Sequence, residues 1–168
     1  MKAVLGLGGN LGAPCANIRL AIAAISNLCG TRLLRQSRYF LTEAVEVNEP
    51  QPPYINCAAE IETRLSPNAL LGACLGIESA LGRTRPGIKS PRTVDIDLLL
   101  YEGATSHTDE LTLPHPGILR RAFVLYPLCD LYPKGSALGL DFAGAFENVS
   151  DQRIEIFLPD ELSGLALS

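Results

Sequence analysis

The sequence contains no tryptophan and only two histidines, and aromatic residues make up 6% of its 168 positions. Its five cysteines are widely spaced and form no C-x-x-C pair. With so little histidine as well, a structural zinc site is disfavoured. An odd number of thiols within apolar runs instead predicts buried, reduced cysteines.

A basic charge excess and long apolar runs are also missing. The net charge is −4, which argues against a general nucleic-acid binder because such proteins usually present a basic surface. No apolar run approaches the ~20 residues that a membrane helix requires. The N-terminal residues resemble no signal peptide, so we expect a cytoplasmic protein without a membrane partner. The length predicts a single domain over 1–168, and we expect a monomer.

Hydrophobic periodicity predicts strands and helices in alternation. The predicted elements are a strand at Lys2–Gly9, a helix at Pro14–Leu28, strands at Thr31–Thr42 and Tyr54–Arg64, a helix from Ser66 to Leu81 and a strand at Thr93–Tyr101. This order is the split βαβ arrangement of ferredoxin-like α+β folds, with helices on an antiparallel sheet. A less regular, variable C-terminal extension follows.

Two aspartates stand out on the last predicted strand. Val94, Ile96, Leu98 and Leu100 are all aliphatic, and we expect them to face the core together. Asp95 and Asp97 would then share the opposite face, roughly 7 Å apart at ~3.3 Å per residue. Such carboxylates repel unless a cation lies between them, and magnesium accepts hard oxygen ligands of this kind. The alternative is a solvated polar face, although aspartate is a poor strand former.

A cationic segment immediately precedes this strand. It contains Arg83, Arg85, Lys89 and Arg92 and no acidic residue. Guanidinium groups match phosphate oxygens in bidentate fashion, so a loop of this kind could close over a polyphosphate. Alone it would more often be a solubilising loop. An anion-binding loop next to a metal site, however, is the equipment of phosphoryl-type transfer.

Several other residues suit a planar heterocycle and a phosphate. Tyr54 and Asn56 lie on one predicted strand face, where a ring could stack on the first and hydrogen-bond to the second, and Phe123 could supply the other side of the stack. Each of them taken singly is more often a packing residue. His115, held between two prolines near Arg121, is either a surface-turn histidine or a phosphate contact. The glycine-rich segment Gly6–Gly12 fits a tight strand-to-helix turn better than a nucleotide-binding loop.

Together these segments resemble the 6-hydroxymethyl-7,8-dihydropterin pyrophosphokinase family over roughly 1–133. The matching segments, in family order, are Gly8-Gly9-Asn10-Leu11-Gly12, Pro53-Tyr54-Ile55-Asn56, Ile77-Glu78 through Arg85, Pro91-Arg92-Thr93-Val94-Asp95-Ile96-Asp97-Leu98-Leu99, Leu113-Pro114-His115-Pro116 and Arg121-Ala122-Phe123-Val124-Leu125. The resemblance implies a ferredoxin-like enzyme that transfers pyrophosphate from ATP to the hydroxymethyl group of the pterin and releases AMP, with two Mg²⁺ ions.

Residue roles follow from the same resemblance. Asp95 and Asp97 match the family's metal ligands, and with Arg83 and Arg92 they form the implied catalytic set. The implied pterin-binding residues are Thr42, Val45, Tyr54, Asn56 and Phe123. The implied ATP-binding residues are Glu78, Arg83, Arg85, Arg92, Leu98, Thr112, His115 and Arg121.

The chain also departs from the family pattern. Lys89-Ser90 stands where the family usually has an aromatic and a small residue, and the segment between Arg85 and Pro91 is about one residue short. Two other functions remain open from the residues alone. Two-metal aspartates also suit nucleotidyl transfer, and a ferredoxin-like fold also suits a non-catalytic ligand-binding or RNA-binding module.

Overall fold

A computed structural model of the protein describes residues 1–43, 50–82 and 93–159. The strands are β1 (Lys2–Gly9), β2 (Thr31–Gln36), β3 (Tyr39–Thr42), β4 (Tyr54–Thr63), β5 (Asp95–Tyr101), β6 (Ser106–His107), β7 (Thr112–Leu113), β8 (Ser136–Ala137), β9 (Leu140–Asp141) and β10 (Ile154–Phe157). The helices are α1 (Pro14–Ser26), α2 (Pro67–Ala80), α3 (Ala122–Leu131) and a 3₁₀ helix (Ala143–Val149).

The main sheet is antiparallel, with strand order β10-β3-β4-β1-β5, and β2 pairs with β4 as well. Helix α1 connects β1 to β2, and α2 connects β4 to β5. This connectivity and strand order confirm the predicted ferredoxin-like α+β fold. In the part of the chain described, no helix is both long and apolar enough to span a membrane.

The sequence signals at the ends of α2 act as predicted. The hydroxyl of Ser66 accepts a hydrogen bond from the backbone N–H of Ala69 at 3.3 Å, and Pro67 opens the first turn. The helix ends before Gly82, whose φ of 88° is the left-handed conformation that favours glycine.

Two apolar cores lie on the two faces of the sheet. The core beneath α1 and α2 includes Leu5, Leu7, Ile18, Ile25, Ile61, Leu70, Ile96, Leu98 and Leu113. The core beneath α3 includes Val4, Leu99, Leu100, Ile118, Leu125, Leu128 and Phe142. We call the two sides of the sheet the α1/α2 face and the α3 face.

The strand predicted at Thr31–Thr42 is in fact two strands, β2 and β3. Ser37 lies at the interruption, where its N–H donates to the carbonyl of Ala58 at 2.9 Å and its hydroxyl accepts from the N–H of Ala58 at 2.8 Å. A side-chain oxygen thus takes the place of a backbone carbonyl in the ladder. The next residue, Arg38, turns its backbone N–H to the carboxylate of Asp130 on α3 at 2.8 Å.

The prediction that Leu100 shares a face with Val94, Ile96 and Leu98 is wrong. A bulge shifts the register between β1 and β5, so that Leu5 pairs with Leu98 but Val4 pairs with Leu100. The additional residue, Leu99, reverses the alternation. Leu98 therefore packs in the α1/α2 core, whereas Leu99 and Leu100 pack in the α3 core.

The C-terminal third is more regular than its sequence suggests. Helix α3 covers the second face of the sheet, and β10 adds a strand beside β3. The internal Pro127 and the short length of α3 hide its helical pattern in the sequence. Arg38 and Asp130 fasten the helix to the sheet, with the guanidinium Nε donating to the carboxylate at 2.9 Å.

Candidate functional site

The candidate site lies on the α3 face, over glycines of the central strand. Across the antiparallel ladder, Gly8 pairs with Asp95 on one side and with Asn56 on the other, while Gly6 pairs with Asp97. Directly paired residues project to the same face of a sheet. Both aspartates are half-buried. Because the glycines carry no side chains, neighbouring side chains can approach the backbone of β1 between the aspartates and Asn56, as Leu99 does at Gly6.

Polar side chains border this part of β1 on both sides. Asn56 and Asp95 are separated by one strand, which places their backbones about 10 Å apart at the usual strand spacing. The Asn56 amide Nδ2 donates to the Thr42 hydroxyl at 3.0 Å, and both residues are almost fully buried. Its Oδ1 lies 2.5 Å from the position a Cβ on Gly8 would occupy. The structure thus brings together Thr42, Asn56 and the aspartates.

Glu78, on α2, binds the backbone of β5 between the two aspartates. Its side chain is 2% exposed, and its Oε1 accepts a hydrogen bond from the backbone N–H of Ile96 at 2.7 Å. Ile96 lies between Asp95 and Asp97 in sequence. Among the described residues β5 is the last strand of the sheet and pairs within it with β1 alone, so this carboxylate satisfies an N–H on the other edge of β5.

His115 lies in a rigid turn next to the same strand. Its backbone N–H donates to the carbonyl of Leu99 at 2.9 Å, and its ring Nδ1 accepts from the N–H of Gly117 at 3.0 Å. Burial lowers the pKa of His115, and this effect and the Arg121 cation outweigh the opposing carboxylates of the site. The ring is therefore neutral at pH 7, and with Nδ1 accepting, its proton is on Nε2.

Arg121 and Phe123 extend the site along the start of α3. The Arg121 side chain and the His115 ring flank Gly117 together, since a Cβ at Gly117 would lie 3.0 Å from His115 Nδ1 and 3.2 Å from Arg121 Cδ. The Arg121 guanidinium lies 5.8 Å from the centre of the Phe123 ring. A neutral hydrogen-bond donor (His115), a cation (Arg121) and an aromatic ring (Phe123) thus follow one another just before and at the start of α3, and we call this side of the site the α3 wall.

One polar residue that the sequence did not single out is Asn10. It is 4% exposed, and its Nδ2 donates to Gln51 Oε1 at 3.3 Å and to the Pro52 carbonyl at 3.1 Å. The Tyr54 hydroxyl donates to the same Gln51 oxygen, also at 3.3 Å. Asn10, just after β1, therefore holds the segment of Gln51 and Pro52 that leads into β4 at Tyr54. Only its place in the glycine-rich segment pointed to Asn10.

The remaining predicted ATP contacts differ in their placement. Leu98 is 3% exposed and packs in the α1/α2 core, on the side of the sheet away from the aspartates. Thr112 is half-buried in β7, opposite His107. Val45, Arg83, Arg85 and Arg92, as well as Lys89 and Ser90, lie outside the described residues.

The donor set at Asp95 and Asp97 fits a hard divalent cation. Asp95 and Asp97 are half-buried and lie on one face of β5, so they supply two hard oxygen ligands of the kind that magnesium takes together with water or phosphate oxygens. Over 1–43, 50–82 and 93–159 there is no cluster of three or more histidine, cysteine, aspartate or glutamate side chains suited to a metal. The aspartate pair predicted from the sequence is the metal site to test.

Comparisons with known proteins agree on one family. The profile of a family described as 7,8-dihydro-6-hydroxymethylpterin-pyrophosphokinase (HPPK) matches residues 4–133. A 2-amino-4-hydroxy-6-hydroxymethyldihydropteridine pyrophosphokinase of Methylorubrum extorquens is 40% identical over 132 residues, which cover 79% of this chain and 83% of that protein. The folic acid synthesis protein fol1 of Schizosaccharomyces pombe is 39% identical over 131 residues, which cover 78% of this chain and 18% of that protein.

Among solved structures, an HPPK-DHPS protein in complex with substrates superimposes with a TM-score of 0.64 at 12% identity. The match covers 89% of this chain and 45% of that one. At this identity the likeness establishes the fold alone. In fol1 and in this HPPK-DHPS chain, the matched region is a part of a much longer polypeptide.

Proposed function

The chain belongs to the 7,8-dihydro-6-hydroxymethylpterin-pyrophosphokinase family, and on that premise we propose how its site performs the reaction. The enzyme transfers the pyrophosphoryl group of ATP to the hydroxymethyl oxygen of the dihydropterin in folate synthesis. The hydroxyl oxygen forms a bond to the β-phosphorus, the bond from that phosphorus to the oxygen of the α-phosphate breaks, and AMP leaves. The hydroxyl proton passes to one aspartate of the pair or to solvent.

The single observation that carries this assignment is the row Asn56–Gly8–Asp95 across three adjacent strands. A buried amide suited to a heterocycle and a carboxylate suited to a metal border the same glycine. Their backbone separation of about 10 Å suits a bicyclic ring whose hydroxymethyl arm points toward the aspartates. A site for either ligand alone would not need this juxtaposition.

On the pterin side, Thr42 and Asn56 would hydrogen-bond to the polar edge of the ring. Their mutual hydrogen bond fixes the orientation of the amide, so little side-chain freedom is lost on binding. Tyr54 and Phe123 would stack on the two faces of the ring. Val45, the remaining pterin contact expected from the resemblance, is included in the proposal on that basis.

On the phosphate side, His115 and Arg121 would bind the oxygens of ATP. Neutral His115 offers an Nε2–H donor, because its other ring nitrogen already accepts from Gly117. Arg121 supplies a fixed positive charge beside it. Arg83, Arg85 and Arg92 would neutralise charge on the transferring group. Glu78, Leu98 and Thr112 complete the ATP contacts proposed from the resemblance, Leu98 through its backbone because its side chain packs in the α1/α2 core.

The metal belongs to the same proposal. Asp95 and Asp97 would hold Mg²⁺, with two ions expected, and bound magnesium would neutralise the phosphate charge that develops in the transition state. Glu78 keeps the backbone between these ligands in place. A single domain over 1–168, a monomeric state and a cytoplasmic location stay predictions from the sequence.

The test is magnesium-dependent release of AMP from ATP on addition of 6-hydroxymethyl-7,8-dihydropterin. Asp97→Asn should lower kcat by about 10²-fold or more, the loss usual when a preorganised electrostatic stabiliser is removed. Asp109→Asn, at an exposed turn position, is the matched control and should keep wild-type activity. Free pyrophosphate in place of AMP would instead identify nucleotidyl transfer, and an Asp97→Asn enzyme with undiminished turnover would refute the assigned role.

A further inference from the structure

The chain beyond residue 133, where the family match ends, returns to the proposed site. After the β8–β9 hairpin and the 3₁₀ helix, residues 152–157 run between the start of α3 and the edge of β3. These are the elements that carry Phe123 and Thr42, one from each side of the proposed pterin site. The C-terminal segment is therefore in contact with both.

The side chain of Gln152 bonds to the backbone on either side of Arg121. Its Oε1 accepts from the N–H of Ala122 at 2.8 Å, and its Nε2 donates to the carbonyl of Arg120 at 2.9 Å. Both hydrogen-bonding functions of the amide are thus used. The effect is to fix the two peptide groups that determine where the Arg121 side chain leaves the backbone.

Helix α3 has no cap of its own at this point. Its N-cap residue is Arg121, whose side chain makes no capping hydrogen bond, and Ala122 begins the helix. The first N–H groups of a helix have no partner within the helix, and Ala122 is 1% exposed. Gln152, 30 residues later in the chain, supplies the missing acceptor.

The residues after Gln152 continue to β3, which carries Thr42 on the other side of the proposed pterin site. Ile154 is the register partner of Thr42 in the β10–β3 ladder, and it packs in the α3 core. Arg153 forms an ion pair with Glu43 at 3.3 Å, but both side chains are highly exposed, so it contributes little. Residues 152–154 therefore connect the start of α3, through the Gln152 amide, to β3, through the pairing of Ile154 with Thr42.

We propose that Gln152 is a positioning residue for the pyrophosphoryl transfer. It holds the Arg120–Ala122 backbone so that the Arg121 guanidinium and the Phe123 ring face the substrates. It touches neither substrate itself. The inference rests on the proposed roles of Arg121 and Phe123, and it assigns a task to a segment outside the family match.

The experiment compares Gln152→Leu, which removes both hydrogen bonds, with Gln152→Glu, which keeps the acceptor for Ala122 and loses the donor to Arg120. Asn148→Ala is the matched control, because the Asn148 amide makes one hydrogen bond to the Leu119 carbonyl of the same loop, at 3.3 Å. Steady-state KM for the pterin and for ATP is measured at a temperature at which melting curves show each variant fully folded.

Gln152→Leu should raise both KM values about 5-fold or more, as expected for two lost hydrogen bonds that order the site, with a smaller change in kcat. Gln152→Glu should fall between Gln152→Leu and wild type, and Asn148→Ala should match wild type. A cap that serves stability alone would lower the melting temperature and leave both KM values unchanged, and that result would overturn the proposal. Gln152→Glu serves as the test if Gln152→Leu does not fold. The wild-type enzyme is assayed in parallel, so a failure of the proposed function appears there first.

Discussion

Replacing Gly8 by alanine tests the geometry on which the pterin side of the site depends. The added Cβ would lie 2.5 Å from Asn56 Oδ1, where ordinary contacts begin at 3.4 Å. The Asn56 side chain must therefore move by about 1 Å, because the backbone at Gly8 is paired with a strand on each side and cannot shift instead. Such a shift breaks its 3.0 Å hydrogen bond with the Thr42 hydroxyl.

The expected cost follows from burial. Asn56 is 5% and Thr42 8% exposed, so a broken bond leaves polar groups with little access to water. An unsatisfied buried group of this kind costs about 1–3 kcal/mol. We expect Gly8→Ala to lower the free energy of unfolding by about that amount in urea denaturation, and to raise KM for the pterin more than KM for ATP.

Gly76→Ala is the matched glycine control. Gly76 is exposed in α2, and nothing lies within 4 Å of the position its Cβ would take. An alanine inside a helix is favoured over glycine by roughly 0.5–1 kcal/mol, so this variant should be more stable and equally active. Alanine should thus lower the free energy of unfolding at Gly8 and raise it at Gly76, which distinguishes a specific contact from a general effect of alanine.

A double-mutant cycle decides whether Asn56 is the cause. In an Asn56→Ala background the Cβ at Gly8 meets no amide oxygen, so the added cost of Gly8→Ala should largely disappear. If Gly8→Ala is equally destabilising with and without the Asn56 side chain, the explanation by this contact is refuted. It is also refuted if Gly8→Ala keeps wild-type stability and wild-type KM for the pterin.

Two further predictions concern groups away from the substrates. Burial raises the pKa of the Cys57 and Cys74 thiols to about 12, so a maleimide at pH 7 should label exposed Cys29 quickly and these two only on unfolding, as mass spectrometry of peptides would show. Burial alone would raise the pKa of Asp130, but its hydrogen bonds with Arg38 outweigh this and hold it below the ordinary value. The Asp130–Arg38 interaction therefore stabilises the fold above the unfolded pKa of about 3.9, and this stabilisation is lost as pH falls through the folded pKa. The melting-temperature difference between wild type and Asp130→Asn should accordingly shrink from about pH 6 to about pH 3. Equal labelling of all thiols, or a difference independent of pH, would contradict these accounts.

Local sequence patterns were enough for the elements of the ferredoxin-like core. Strand β1 has the predicted bounds, and α2 begins and ends at its predicted cap residues, because these signals act within a few positions of the chain. The break at Ser37 depends on a hydrogen bond to Ala58, 21 residues away. The bulge at Leu99 depends on pairing with β1. Neither partner is visible in the local pattern.

In the candidate site, too, features set by nearby residues could be predicted and features set by distant partners could not. The alternation around Asp95 and Asp97 correctly placed both on one face, since the bulge lies beyond them. The supports of the site come from distant segments: Glu78 reaches Ile96 from α2, and Gln152 reaches α3 from beyond the 3₁₀ helix. A backbone group as the partner leaves no trace in the sequence, so these roles could not be predicted.

The glycines of β1 illustrate why the site lies where it does. The sequence suggested a turn, and Gly12, with a φ of 62°, has that role. Gly6 and Gly8 are instead in the interior of a central strand, where glycine packs poorly and weakens the strand. Leu5 and Leu7, buried on the opposite face, compensate by anchoring the strand in the α1/α2 core. One face of β1 thus secures the fold. On the other face the glycines let neighbouring side chains lie against the strand backbone, since a Cβ at Gly6 would lie 3.2 Å from Leu99 Cδ1 and one at Gly8 would lie 2.5 Å from Asn56 Oδ1.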